Sequence, residues 1–300
     1  MVSGSPNGKD SLLKGSKTNS RSCGTPLSPH RPLPVESGAQ LGTRPYRSEP
    51  LASRPQGDTR ATREADAVMD RAIVLLSGGL DSAVVLWWAK GQGWDVRPMT
   101  FDYFGRPVRE SQAVADLVAR LGVRAVRRVD LPFLKEIDDL RKDSVANPAL
   151  LDSPEGYIPA RNMIFYGVAA YHAEIDGARY LIGGHNGMDP EAFPDSSPKF
   201  FNFMNSIFRL GLWSYARSPV QVLVPLSGKS KEEVVRMGLA LKVPFEITWS
   251  CYWDRDLHCG TCPSCRERRE AFAAVGVADP VDYETGPLPT EGTHLHAQKG

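Results

Sequence analysis

The chain has 300 residues, 41% hydrophobic and 24% charged, with a formal net charge of +1 at pH 7. That balance fits a globular protein with a sizeable core and excludes a strongly cationic surface that wraps nucleic acid, so no direct nucleic-acid partner is expected. No apolar run approaches the roughly 20 residues of a bilayer span, and the N-terminus lacks a leader's apolar core; no membrane partner and a cytoplasmic location are expected.

Residues 1–68 are rich in Ser, Gly, Pro, Arg and Thr and show no sustained apolar period. Such a segment buries too little surface to offset its ordering entropy, so disorder is expected there. Met69-Asp70-Arg71-Ala72-Ile73-Val74 runs straight into the first apolar stretch, and translation from Met69, with 1–68 a gene-start artefact, is the expectation. Beyond it strand and helix patterns alternate. Strands are predicted at 72–76, 95–101, 124–130, 179–183 and 220–224, and helices at 82–91, 107–121, 161–175, 198–212, 230–241 and 264–275. Alternation of this kind gives a parallel sheet covered on both faces, a doubly wound α/β fold with its ligand crevice at the strand C-terminal ends. The expected organisation is an α/β domain over 69–248, a small cysteine module with a C-terminal helix over 249–283, and a disordered tail over 284–300.

The first strand ends in Leu76-Ser77-Gly78-Gly79-Leu80-Asp81-Ser82 and passes directly into a helix. Two glycines allow a sharp turn that frees backbone N–H groups, and the helix N-terminus adds its dipole. The loop is built for phosphate, yet it lacks the Gly-Lys-Ser/Thr ending of the common nucleoside-triphosphatase loop. Asp81 places a carboxylate at the end of that loop. The second strand ends in Phe101-Asp102-Tyr103-Phe104-Gly105-Arg106, where Phe or Tyr is placed to stack on a base. Tyr157-Ile158-Pro159-Ala160-Arg161-Asn162 opens a helix. Arg161 there offers a fork of donors to an anion, and Asn162 a cap or a base contact.

After the fourth strand, Gly183-Gly184-His185-Asn186-Gly187-Met188-Asp189 belongs to the crevice by position. With Phe193-Pro194-Asp195 it supplies the candidate substrate contacts His185, Asn186, Asp189, Phe193 and Asp195, in which the two aspartates suit the amide and amine edge of a purine-like base. Ser230 and Glu233 match a capping box, which brings Lys231 near a helix N-terminus. Cys251, Cys259, Cys262 and Cys265 fall within fifteen residues. In a reducing compartment four such thiolates suit a tetrahedral structural zinc, with an iron–sulfur cluster as the chemical rival. His258, beside Cys259, is a weaker fifth candidate, and Cys23 stands alone.

Ser-Gly-Gly-x-Asp-Ser resembles the PP-loop of the ATP pyrophosphatase superfamily, and by that likeness Asp81 would bind magnesium. With Ile-Pro-Ala-Arg-Asn, Phe-Pro-Asp, Pro-Leu-x3-Ser-Lys-x-Glu-Val and Ser-Cys-Tyr…Cys-Gly-x-Cys-x-Ser-Cys in order, the chain resembles the 7-cyano-7-deazaguanine synthase family over about residues 71–283. The resemblance implies an adenine nucleotide alpha hydrolase-like sheet with a zinc module. The implied activity is an ATP-dependent ligase of queuosine biosynthesis that converts 7-carboxy-7-deazaguanine and ammonia, by way of an adenylated carboxylate and an amide, to the nitrile. It implies ATP, Mg2+ and Zn2+ as cofactors and allows a homodimer. ATP would be held along Leu76, Ser77, Gly78, Gly79, Leu80, Asp81, Ser82, Ala83, Val84, Val85 and Leu86, with Arg161, Asn162 and Gly183. Ser77, Asp81, Ser82, Arg161 and Lys231 would carry the catalysis. The chain departs from the family where Tyr-Gly-Gln-Arg-His-like residues give way to Tyr103-Phe104-Gly105-Arg106-Pro107, where Tyr-Pro-Asp-Cys-Arg gives way to Phe193-Pro194-Asp195-Ser196-Ser197, and where Ala160 replaces a frequent Gly. These differences leave open a divergent ligase that stops at the amide or joins a deazaguanine acid to another amine. Two other classes also stay open: a different PP-loop enzyme, such as a tRNA-modifying one or an amide synthetase, and a non-catalytic zinc-containing binding module that kept a nucleotide pocket.

Overall fold

In the first strand every side chain from Ala72 to Leu76 is apolar, and the structure shows why. A computed structural model describes residues 69–284, apart from 138–139, 141–143, 155 and 189–192. Its strands are β1 (Arg71–Leu75), β2 (Asp95–Tyr103), β3 (Arg127–Leu131), β4 (Tyr180–Ile182) and β5 (Gln221–Leu223). They form one sheet in the order β3-β2-β1-β4-β5, every pairing parallel. Central β1 is covered on both sides, so neither of its alternating faces meets water.

The helices are α1 (Leu80–Gly91), α2 (Val108–Leu121), α3 (Arg161–Asp176), α4 (Pro198–Gly211), α5 (Lys231–Ala240) and α6 (Pro263–Val275). Ala72, Val74 and Leu76 pack with α1, α2, α5 and α6 through Val84, Leu117, Val234 and Phe272. Ile73 points the other way, into a second core with Tyr166 and Ala169 of α3 and Phe201 and Met204 of α4. Each fully buried large apolar side chain contributes about 1.5–3 kcal/mol, so the two cores, rather than helix propensity, hold the helices in place. Every predicted strand and helix is present, and the sheet is doubly wound as expected.

Differences at the ends have local causes. The helix after the glycine loop begins at Leu80, two residues early, which brings Asp81 and Ser82 into its first turn. Pro98 sits inside β2 without an N–H. Pairing of β2 to β3 begins only at Met99↔Arg127, so Pro98 has a strand partner on the β1 side alone, where a proline is tolerated. The strand order reverses between β1 and β4, and the crevice opens at their C-terminal ends. The expectations for residues 1–68 and 285–300 lie outside the described residues. Among the described residues, no helix is long and apolar enough to cross a membrane.

Gly238 lies buried in α5, facing α1. A Cβ there would stand 2.2 Å from Phe245 Cζ and 2.9 Å from Val84 Cγ2. Gly238→Ala gains up to about 1 kcal/mol of helix propensity but overpacks a closed contact, at about 1–3 kcal/mol. Net destabilisation is expected, read as a lower urea midpoint at unchanged slope; a midpoint equal to or above that of the parent would refute the packing argument.

Candidate active site and cysteine cluster

The loop between β1 and α1 is held in one shape by its own serines. Ser77 Oγ donates to Ser82 Oγ (3.1 Å), Gly78 N donates to Ser82 Oγ (3.2 Å), and Ser82 Oγ donates to the Gly79 carbonyl (2.9 Å). Gly78 has φ +95°, and a Cβ on it would lie 2.5 Å from the Glu110 carbonyl oxygen. Both the backbone angle and the space demand glycine. The α1 N-cap, Gly79, supplies no side-chain acceptor, so the first N–H groups of α1 point at the crevice as an anion site.

Asp81 is the electrostatic centre. Its Oδ2 accepts from Lys231 Nζ (2.7 Å) and from Asn186 Nδ2 (3.2 Å), while Oδ1 is buried without a hydrogen-bond partner among the described residues. Lys231 is delivered by the N-terminus of α5, where Ser230 and Glu233 form the predicted capping box, and it also pairs with Glu267 Oε2 (3.2 Å). The segment after β4 fits between α1 and α5 only through its glycines. A Cβ on Gly184 would lie 2.9 Å from the Asp81 carbonyl carbon, and one on Gly187 2.9 Å from the Lys229 oxygen. On Gly183 it would meet Tyr166 Oη at 1.9 Å. That hydroxyl, on a fully buried ring, lies 3.1 Å from His185 Nε2. Burial, reinforced by the Arg161 charge, pushes His185 down to about 3, so the imidazole is neutral.

Arg161, the first residue of α3, lies 5.6 Å over the Phe193 ring, which stacks parallel to Tyr157. Asn162 does not cap its own helix. Asp195 does so from a distance: its Oδ2 accepts from Asn162 N (3.0 Å), and its carbonyl accepts from Asn162 Nδ2 (3.1 Å). On the β2 side Arg106 is a hub with a side chain only 4% exposed. It donates to Thr100 Oγ1 (2.9 Å), the Phe101 carbonyl (2.6 Å), Asp102 Oδ1 (2.8 Å), Glu110 Oε2 (3.0 Å) and the Ser77 carbonyl (2.8 Å). Burial raises the Glu110 carboxyl above the ordinary glutamate value, against the opposing pull of Arg106.

These elements enclose an open cavity of about 320 Å³. Of the residues proposed from sequence, Leu76, Ser77, Gly79, Leu80, Asp81, Ser82, Arg161, Asn162, Gly183, His185 and Lys231 line it. Gly78 lies beneath the loop. Ala83, Val84, Val85 and Leu86 do not reach the cavity: they are 0% exposed in the apolar core of α1, and the expected nucleotide stretch therefore ends, for side chains, at Ser82. Asn186 stands behind Asp81. Phe193 and Asp195 brace Arg161 and Asn162 rather than lining the space, because the Asp195 carboxylate is committed to α3. Asp189 lies outside the described residues. Sequence reasoning missed Glu110, Phe165, Trp249, Ser250, Tyr252, Ser264 and Arg268, all of which line the cavity. The signal for three of them was their position beside Cys251.

The cysteine region meets the site directly, since Trp249 N donates to the Gly78 carbonyl (2.9 Å). Cys251, Cys259, Cys262 and Cys265 are all buried, with their sulfurs within 4.8 Å of one another. Backbone N–H groups of Cys262 (3.3 Å) and Thr261 (3.4 Å) donate to Cys259 Sγ. Burial raises that thiol, but these donors outweigh it and bring it down to about 6, toward the thiolate a metal requires. His258 stays outside the cluster, because its Nε2 accepts from Ser250 N (3.2 Å). Four converging sulfurs fit one tetrahedral metal ion. Below them Arg268, 1% exposed, is clamped by Asp279 (2.8 and 2.9 Å) and by Thr248 Oγ1 (2.6 Å).

Comparison with known proteins gives the arrangement a family. The family model described as "Queuosine biosynthesis protein QueC" matches residues 71–276. The chain is 39% identical over 222 residues to the 7-cyano-7-deazaguanine synthase of Thermoplasma acidophilum, covering 72% of this chain and 93% of that protein. It is 33% identical over 231 residues to the one of Nostoc punctiforme, covering 71% and 99%. The match spans the whole core from β1 to α6, and the chain belongs to the QueC family of queuosine biosynthesis proteins.

Proposed function

We propose that the protein is an ATP-dependent ligase that converts 7-carboxy-7-deazaguanine and ammonia to 7-cyano-7-deazaguanine. The observation that carries this reading is the convergence on one cavity of an uncapped helix N-terminus, Lys231, Arg161 and an Asp81 whose buried Oδ1 has no partner among the described residues. A carboxylate is a poor electrophile, and adenylation gives it a leaving group. Ammonia attack then yields the amide, and a second activation of the amide oxygen drives its loss as the nitrile forms. The glycine loop holds the phosphates on its N–H groups, while Lys231 and Arg161 neutralise charge that develops on them.

Asp81 Oδ1 fits a magnesium ion, which supplies charge neutralisation between phosphates when bound. The four sulfurs fit zinc in a structural role, because four thiolates leave no open coordination position. Neutral His185 orients its neighbours by hydrogen bonding and carries no positive charge to the substrate. Trp249, Ser250 and Tyr252 gain their positions from the cysteine module in which they lie, on either side of Cys251.

With ATP, magnesium, ammonium and the carboxylic acid, the purified protein is expected to yield the nitrile by mass spectrometry; amide as the sole product would overturn the reading. Lys231→Ala should lower kcat/KM by about 100- to 1,000-fold with the fold intact by circular dichroism. Replacing Cys259 by Ser should strip the bound metal, read by elemental analysis, and lower Tm by roughly 10 °C if about 3 kcal/mol of metal stabilisation is lost; a metal-replete variant would exclude Cys259 as a ligand. The depressed His185 also makes a signed prediction. Its folded value of about 3 lies below the 6.5 of a free imidazole, so the unfolded chain binds the extra proton. The associated stability is present above about pH 6.5 and is lost as pH falls toward 3, at up to about 1.4 kcal/mol per pH unit. Urea unfolding from about pH 7 to 5 should therefore show a shallower pH slope in His185→Gln than in the parent.

A further inference from the structure

Among the described residues, two carboxylates line the cavity, Asp81 and Glu110. Asp81 Oδ2 is committed to Lys231 and Asn186, and its Oδ1 is the atom the ligase reading gives to magnesium. Glu110 comes from the first turn of α2, behind the end of β2, and its side chain keeps 23% of its surface open. Its Oε2 accepts from Arg106 Nε at 3.0 Å, and no hydrogen bond reaches Oε1 among the described residues. Arg106 itself is immobilised by four further bonds, one to the Ser77 carbonyl of the glycine loop. Glu110 is therefore a fixed acceptor whose orientation is set from behind. On the same side of the cavity Phe101 and Phe165 lie face to face, 4.1 Å apart and 9° from parallel, and both rings line it. The stacked pair presents one flat apolar wall beside a pre-oriented acceptor, which suits a planar heteroaromatic ring that lies against the pair and presents an N–H donor.

We infer that Glu110 Oε1 is the acceptor for the exocyclic amine of a purine-type base bound against Phe101 and Phe165, with Arg106 as the positioning residue that holds it. The inference rests on the ligase reading for its two sources of such a base: the adenine of ATP and the deazaguanine acid. Neither Asp195, occupied at α3, nor neutral His185 supplies a charged acceptor in the cavity.

Arg106 makes the test sharp. In Glu110→Gln, the amide oxygen must face the Arg106 Nε donor, which turns the NH2 group toward the cavity. An acceptor becomes a donor at nearly constant shape. An amine-bearing base should then bind about 10- to 100-fold more weakly, the loss of a hydrogen bond to a charged group. If the base is adenine, the loss falls on the KM for ATP, and the ATP:ITP ratio of kcat/KM drops by a similar factor, because the inosine 6-oxo group accepts from the new NH2. If the base is the deazaguanine, the loss falls on the KM for the acid, and its 2-desamino analogue shows no such loss. Either outcome supports the inference. Unchanged KM for both bases, an effect on ammonium alone, or a fall in kcat with both base preferences intact overturns it. Ratios within one variant are insensitive to its folded fraction, so partial misfolding does not mask the answer. Calorimetric titration of ATP, ITP and the acid into parent and variant reads the same preference without turnover. A protein that binds a base through Glu110 yet forms no nitrile would sink the ligase reading and leave this one standing.

Discussion

The backbone of Ser77 and Gly78 is clamped from three sides, and the site depends on that clamp. Arg106 donates to the Ser77 carbonyl, Trp249 N donates to the Gly78 carbonyl, and the Glu110 carbonyl sits where a Gly78 Cβ would be. The three contacts come from the end of β2, the cysteine region and α2. An anion-binding loop works only if its N–H groups are held in place before the anion arrives, since ordering them on binding would cost about 1–2 kcal/mol per residue. Here the ordering is complete in the folded protein.

Charge is arranged around the same loop with equal economy. Lys231 and Arg161 reach the cavity from the first turns of α5 and α3, both helix ends that face the crevice. Each is restrained: Lys231 by Asp81 and Glu267, Arg161 by the Phe193 ring stacked on Tyr157. Arg106 and Arg268, by contrast, are nearly sealed from water and spend their donors on the protein itself. A buried guanidinium costs several kcal/mol unless its donors are met. Arg106 meets them with Glu110, Asp102 and three neutral oxygens, and Arg268 with Asp279, Thr248 and the Phe245 carbonyl. The cations that line the cavity thus divide into two that are restrained at helix N-termini, Lys231 and Arg161, and two that hold the walls.

What could be read from the sequence was whatever is contiguous. The apolar run of β1, the two glycines, the Ser230–Glu233 box and the four-cysteine spacing each place several interacting atoms within a few residues, and local geometry carries them into the fold unchanged. Asp195 shows where that logic fails. A carboxylate in a turn after the fourth strand suits a base edge equally well on paper. Its actual partner is the uncapped N-terminus of α3, 33 residues earlier, and nothing local reveals that the helix start lacks a cap of its own. Val84, Val85 and Leu86 fail for the opposite reason: the motif continues past Ser82, but a helix turns its apolar side chains into the core within one turn.

Glu110 and Arg268 were invisible, and Trp249 was marked only by its place beside Cys251, because their reason for being at the site is topological. Glu110 belongs to an ordinary amphipathic helix pattern until β2 and β1 become neighbours and set α2 against Gly78. Trp249 lies 171 residues from Gly78 and meets it only because the cysteine region folds back over the loop. The same arrangement explains why a module with so little core of its own sits where it does. Its own hydrophobic cluster is the four cysteines and Trp249, packed on Ala113 of α2 with Tyr283 at the edge, too little to be stable alone. Its four sulfurs lie within 4.8 Å of one another and could hold a metal ion; closed in that way, the module would brace Ser250 and Tyr252, which line the cavity, and the loop at Gly78. A metal held there would thereby help to set the shape of the site.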